Sequence, residues 1–157
     1  MLRITQNLGQ TDEPAQDTLT LPFELRRKGR FRAVSDAGTE VGLFLERGQV
    51  LAQGDRLKSE CGRLFEVAVS PEPMVTAHAA DWPSFARACY HLGNRHVTLE
   101  IGPLWLRFPP DHVLEHLAEH LGLRLEHGEA PFNPESGAYQ GLGGHHHHDD
   151  HGHHHDH

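Results

Sequence analysis

Over the first 70 residues, apolar and polar positions alternate in short runs. "DTLTLPFELR" (Asp17 to Arg26), "FRAVSDAGTEVGLFLERGQVLAQGD" (Phe31 to Asp55) and "GRLFEVAVS" (Gly62 to Ser70) place Val, Leu and Phe at strand-like intervals. Lys28-Gly29, Asp36-Ala37-Gly38, Arg47-Gly48 and Gln53-Gly54-Asp55 punctuate them as turns. The rhythm predicts a small antiparallel β domain over residues 1–70. "SPEP" (Ser70 to Pro73) breaks it and is the expected linker.

The period then lengthens. "MVTAHA" (Met74 to Ala79) reads as a strand. Asp81 supplies an N-cap and Pro83 a first-turn proline for a helix with Phe85, Ala88, Cys89 and Leu92 on its apolar face, stopped at Gly93. "HVTLEI" (His96 to Ile101) and "LWLRF" (Leu104 to Phe108) form a hairpin about Gly102-Pro103. "PPDHVLEHLAEHLG" (Pro109 to Gly122) is a proline-started helix with Val113, Leu114, Leu117 and Leu121 as its buried stripe, and "LRLEHGEA" (Leu123 to Ala130) a final strand. The order βαββαβ predicts a ferredoxin-like domain over residues 71–139, so the chain is α+β. Phe132 and Tyr139 are expected to anchor the following segment to the body. Residues 140–157 are a Gly/His-rich tail with too little apolar surface to fold without metal.

That tail dominates the chemistry. Residues 145–157 hold nine histidines, three aspartates and one glycine. Asp149, Asp150, Gly152 and Asp156 interrupt the run, whereas purification tags are normally unbroken, so the tail reads as native. Neutral imidazole is the commonest side-chain ligand for borderline divalent ions, and His-rich tracts read as metal-binding. The candidate ligands are His145, His146, His147, His148, His151, His153, His154, His155 and His157. A flexible tether raises the effective concentration of later ligands once one has bound, and the aspartates attract cations. Ni2+, Zn2+, Cu2+ and Co2+ are all candidates, with Cu2+ expected to bind at least as well as Ni2+.

Composition excludes other classes. The 14 Lys and Arg against 22 Asp and Glu give −8 at pH 7; the tail carries three acids and no base, leaving the rest at 14 against 19, a net −5. No basic footprint for nucleic acid exists. Only Cys61 and Cys89 occur, which argues against a disulfide scaffold. The start lacks a signal-peptide pattern and no apolar run approaches the ~20 residues that span a bilayer, so a cytoplasmic location without membrane contact is expected.

Outside the tail, His112, His116 and His120 recur at i, i+4 and i+8 on one helix stripe. A pair at that spacing can chelate an ion, but for His116 and His120 a solvated face is the preferred reading. The HExxH metalloprotease motif is absent, because Val113 and Leu114 follow His112. His96, in "LGNRH", reads from composition alone as a turn histidine at a strand edge. His91 reads as a packed or surface residue; His78 and His127 lie on strands without an assigned role.

"YHLGNRHV" (Tyr90 to Val97), "DHVLEHL" (Asp111 to Leu117), "PFNPESGAY" (Pro131 to Tyr139) and the His-rich end, in that order, resemble the UreE family of urease accessory proteins, which are nickel metallochaperones. The resemblance implies a homodimer in which His96 is the principal metal ligand, one imidazole coming from each subunit near the two-fold axis. It implies a secondary ligand at His112, although Pro110 stands where a relative has histidine. It further implies delivery of Ni2+ to apo-urease with the accessory GTPase UreG, UreF, and UreD or UreH. A cytoplasmic metal buffer or store is the alternative. A metal-dependent hydrolase is disfavoured for want of a His/carboxylate constellation beside a general base. A general peptide chaperone acting through the β domain is a further reading.

Overall fold

A computed structural model describes residues 1–136, and the fold is α+β. The first part contains β1 (Leu2–Gln10), β2 (Asp17–Leu21), the one-turn helix α1 (Phe23–Arg26), β3 (Arg30–Val34), β4 (Glu40–Phe44), β5 (Asp55–Ser59) and β6 (Leu64–Val69). Its six strands lie in the order β2-β6-β5-β1-β4-β3. The β3–β4 hairpin matches the turn signal at Asp36–Gly38, whereas the β5–β6 hairpin turns at residues 60–63, where no turn was expected. The sheet is mixed rather than purely antiparallel, because β1 runs parallel to β4 and β2 parallel to β6. Parallel neighbours are joined by long connections, so no turn motif announces them.

β1 is polar along most of its length. Only Ile4 is buried, and its pairing with β5 shifts register twice. α1 replaces the end of the run read as a strand. Pro22 has no amide hydrogen to donate, and its carbonyl accepts from the Leu25 and Arg26 amides, which winds the chain out of the edge strand β2. Ile4, Leu19, Val41, Leu57, Phe65 and Val67 form the core of this part.

The second part contains β7 (Glu72–His78), α2 (Trp82–Gly93), β8 (Glu100–Gly102), β9 (Trp105–Phe108), α3 (His112–His120) and β10 (Arg124–Ala130). Strand order β10-β7-β9-β8 with every pair antiparallel is the ferredoxin-like arrangement expected from the βαββαβ order. β7 begins at Glu72, so the last two residues of "SPEP" belong to the sheet. The helices cover the face that carries Val75, Ala77, Leu106 and Phe108, burying Phe85, Ala88, Leu92, Leu114 and Ala118 against it.

Both helices start on an aspartate. Asp81 accepts from the Ser84 amide at 2.8 Å, and Asp111 from the Val113 and Leu114 amides at 2.9 and 3.1 Å. Pro109 and Pro110 only precede the second cap. Gly122, at φ +89°, turns the chain after α3. Val113, expected inside, is 56% exposed; Ala118 takes its place beneath α3. The β8–β9 turn falls on Pro103-Leu104, with Leu104 at φ 59°. The last residue of β8 must be glycine, because a side chain on Gly102 would strike the Trp105 ring.

Candidate metal centre

Helix α2 delivers His96. After Gly93, the Asn94, Arg95 and His96 amides bond back to Tyr90, Leu92 and Gly93 carbonyls, each at 3.1 Å, winding the chain one further turn. His96 then sits at φ 54°, in the left-handed region that costs a non-glycine residue on the order of 1–2 kcal/mol. Its side chain is exposed. It lies in this turn and not on a strand edge, since β8 starts only at Glu100. The hydrogen bonding expected of a longer strand goes instead to the segment after β10: the Glu135 amide donates to the Leu99 carbonyl at 2.7 Å, and the Asn133 amide to the Glu100 carboxylate at 2.9 Å.

That segment is pinned from below as well. Phe132 is 1% exposed and packs edge-on against Phe23 of α1, with ring centroids 5.4 Å apart. Arg26, also buried, donates from one terminal nitrogen to the Phe132 carbonyl and from the other to the Leu51 carbonyl at 3.2 Å. Burial presses the guanidinium pKa down, while the carboxylates of Glu72 and Glu100 oppose this. The result is a cleft of about 870 Å3 with Arg26, Val50 and Leu51 on one side and His96, Val97 and Asn133 on another. Asn133 to Ser136 line it too, so the chain leading to the tail leaves from the wall that carries His96.

The remaining histidines divide by surroundings. His112 is the exposed first residue of α3, with His116 and His120 also exposed. His120 occupies the last turn, where a cationic imidazole suits the helix dipole. His91 is exposed, with Tyr90 edge-on to it at 5.2 Å. Two strand histidines meet carboxylates: His78 Nε2 lies 2.9 Å from Glu126, and His127 Nε2 contacts Glu115. Sequence gave His127 no role; its partner lies 12 residues away, across the α3–β10 turn. The thiols stand apart from this chemistry. Cys89 packs partly buried against the core, which pushes its pKa up, and Cys61 lies in the β5–β6 turn.

Among the described residues no three His, Cys, Asp or Glu side chains stand together as a metal cage, so His96 and His112 are not joined into one such site. His145, His146, His147, His148, His151, His153, His154, His155 and His157, with Tyr139, lie outside the described residues. What the described part offers is an exposed imidazole, carried by a hydrogen-bonded turn, at a cleft that Asn133 to Ser136 also line. Two imidazoles, or one with a tail ligand, leave coordination positions open, and an open site exchanges its metal more readily than a closed four-ligand one. No helix among the described residues is long and apolar enough to cross a membrane.

Comparison with known proteins covers nearly the whole chain. Residues 2–70 match the family model for the N-terminal domain of the UreE urease accessory protein, and residues 72–157 that for its C-terminal domain. A urease accessory protein UreE from Pseudoalteromonas translucida is 51% identical over 149 residues, covering 91% of this chain and 88% of the relative. One from Psychromonas ingrahamii is 50% identical over 139 residues, covering 88% and 91%; one from Marinomonas is 49% identical over 140 residues, covering 88% and 95%.

Proposed function

The chain belongs to the UreE family of urease accessory proteins and is not an enzyme, and on that premise we propose that it binds Ni2+ and delivers it to apo-urease during assembly of the metallocentre. The observation that carries this reading is the placement of His96, exposed in a left-handed turn at the rim of the cleft from which the chain to the tail departs. Residues in sparsely populated backbone regions persist where the surrounding fold over-determines them, and they concentrate at functional sites.

In this reading His96 is the principal ligand, each subunit of a homodimer contributing one. The tail histidines supply and refill the remaining positions, and His112 is a secondary ligand. Trp82 and Tyr90 on α2, 61% and 67% exposed, give a second copy an aromatic surface on the helix that leads to His96. A receiving protein replaces tail or water ligands one at a time, so transfer needs no nucleophile or general base. Selectivity for nickel over copper comes from metal supply and from the partners, because imidazole itself favours copper. Those partners are UreG and the apo-urease complex with UreF and UreD or UreH, in the cytoplasm. Residues 1–70, 71–139 and 140–157 serve as partner-binding domain, metal-binding domain and metal-collecting tail.

Nickel calorimetry on the full chain and on a chain ending at Gly144, paired with urease activation, tests delivery against storage. Nine histidines at four to six donors per ion hold roughly two ions per tail. Truncation should therefore lower the stoichiometry by about that number while activation persists in part. Complete loss of activation would favour a metal store whose tail does all the work.

Protons compete with metal for imidazole nitrogen, whose ordinary pKa is about 6.5. Ni2+ affinity is expected to hold above pH 7 and to fall steeply between pH 7.5 and 5.5. Equal affinities at those two values would rule out imidazole ligation.

A further inference from the structure

We propose that residues 131–135 form a strap that carries the root of the tail from one edge of the second sheet to the other, and that Glu100 is the positioning residue that fastens its far end on the side of His96. The proposal rests on the metal-collecting role of the tail given above and names what brings the tail to His96.

Topology poses the problem. In the order β10-β7-β9-β8, β10 and β8 are opposite edges of the sheet. The chain finishes β10 at Ala130, whereas His96 lies shortly before β8. Three strand spacings put those edges about 14 Å apart. Yet the Glu135 amide donates to the Leu99 carbonyl at 2.7 Å, and Asn133 to Ser136 line the same cleft as His96. Five residues of extended backbone reach about 17 Å, so the crossing takes most of their length. Pro131 and Pro134 suit it, since each fixes its own φ and biases the residue before it to extended backbone. On the way, Phe132 is buried and lines a groove with Phe23, Met74 and Thr98.

Glu100 is set in place for the fastening. One carboxylate oxygen accepts from the Asn133 amide at 2.9 Å, and the other lies 3.6 Å from a terminal nitrogen of Arg107. Arg107 in turn donates from Nε to the Thr76 hydroxyl at 3.0 Å and lies over the Trp105 ring at 4.6 Å. The side chains of Glu100 and Arg107 are 16% and 21% exposed, so strands β7 and β9 hold the carboxylate that receives the strap. A hydrogen bond to an ionised carboxylate is roughly twice as strong as one between neutral groups. With Phe132 as the inner anchor and Glu100 and Leu99 as the outer ones, everything after Glu135 starts on the His96 side. Without the outer bonds the last fixed point retreats to Phe132. A tether raises the effective concentration of its ligands only where its span matches the distance to the site. Glu100 therefore acts on the metal through the tail, without touching it.

Paramagnetic Cu2+ held by the tail is the probe. In a full-length His96→Ala chain the ion has no ligand at position 96, so broadening of the Val97, Thr98 and Leu99 amides in 1H–15N spectra reads the nearness of the tail alone. Those amides should broaden in that chain and not in the same chain ending at Gly144. Adding Glu100→Ala should weaken the broadening. Adding Glu135→Pro as well, which removes the second amide donor, should abolish it. Glu100→Gln keeps an oxygen for the Asn133 amide and should restore it. In the metal-free protein, hydrogen exchange at the Asn133 amide should quicken about tenfold or more in Glu100→Ala, the worth of a hydrogen bond to a charged group, and far less in Glu100→Gln. Equal broadening in the shortened chain, broadening unchanged when both outer bonds are removed, or glutamine no better than alanine would overturn the strap and leave the metal-collecting tail standing. No broadening anywhere in the chain that keeps its tail would remove both.

Discussion

Arg26→Ala is expected to cost on the order of 3–5 kcal/mol of folding stability, more than any surface substitution in this chain. The guanidinium is 1% exposed and fills the space between α1 and the Pro131–Ser136 segment. Its two terminal nitrogens are the donors to the Leu51 and Phe132 carbonyls. Alanine leaves both carbonyls buried without a donor, at about 1–3 kcal/mol each, and opens a cavity besides. Burying a charge has its own cost, and exchanging a buried ionic group for an apolar one of equal volume is often neutral. That compensation requires both partners to be removed, and backbone carbonyls cannot be. Arg26→Met, which fills the space without donating, should therefore fall between wild type and alanine, near 2–3 kcal/mol. Thermal unfolding reads this as a drop of roughly 6–20 °C for alanine, at about 2–4 °C per kcal/mol in a chain of this size. Phe132→Ala removes the same junction from the other side, so the double variant should lose clearly less than the sum of the singles. Additive losses would mean that Arg26 and Phe132 act separately and that the tail is not rooted through α1.

Much of this arrangement was legible before the fold was known, and what was not has identifiable causes. The two aspartate caps and the spacing of Phe85, Ala88 and Leu92 announce α2 and α3, because capping and helical periodicity are local. The β3–β4 hairpin follows from its turn residues Asp36-Ala37-Gly38, whereas the β5–β6 hairpin was not expected. β1 was hidden, since a strand whose one buried residue is Ile4 has no apolar rhythm, and its neighbours β4 and β5 are set by topology. Arg26 was hidden for the opposite reason: a charged residue in a polar stretch reads as surface, and its buried partners are the Leu51 carbonyl, 25 residues later, and the Phe132 carbonyl, 106 residues later. At the proposed metal centre, composition marks the tail and family resemblance marks His96. The strained backbone of His96 cannot be read from sequence, since histidine carries no left-handed requirement as glycine does. The contact of His127 with Glu115 was hidden because it depends on the packing of β10 against α3.

The second large effect separates function from fold at a single residue. His96→Ala should reduce urease activation at limiting nickel by about tenfold or more, while total bound nickel, dominated by the tail, changes little. In a homodimer each substitution removes both central imidazoles, and the loss of even an orienting neighbour typically weakens a metal site 10–100-fold. His96→Gly should match alanine in delivery but differ in stability. At φ 54° a Cβ is a burden that glycine lacks, so glycine should stabilise the chain by a few tenths to about 1 kcal/mol relative to alanine. The wild-type residue would then be the functional choice at a position where the backbone prefers glycine. Activation assays at limiting and saturating nickel, with urea unfolding of the three proteins, measure both halves. Normal activation by His96→Ala at limiting nickel would remove His96 from the delivery site. Glycine no more stable than alanine would show that the turn carries no strain, leaving the ligand role to stand on the activation data alone.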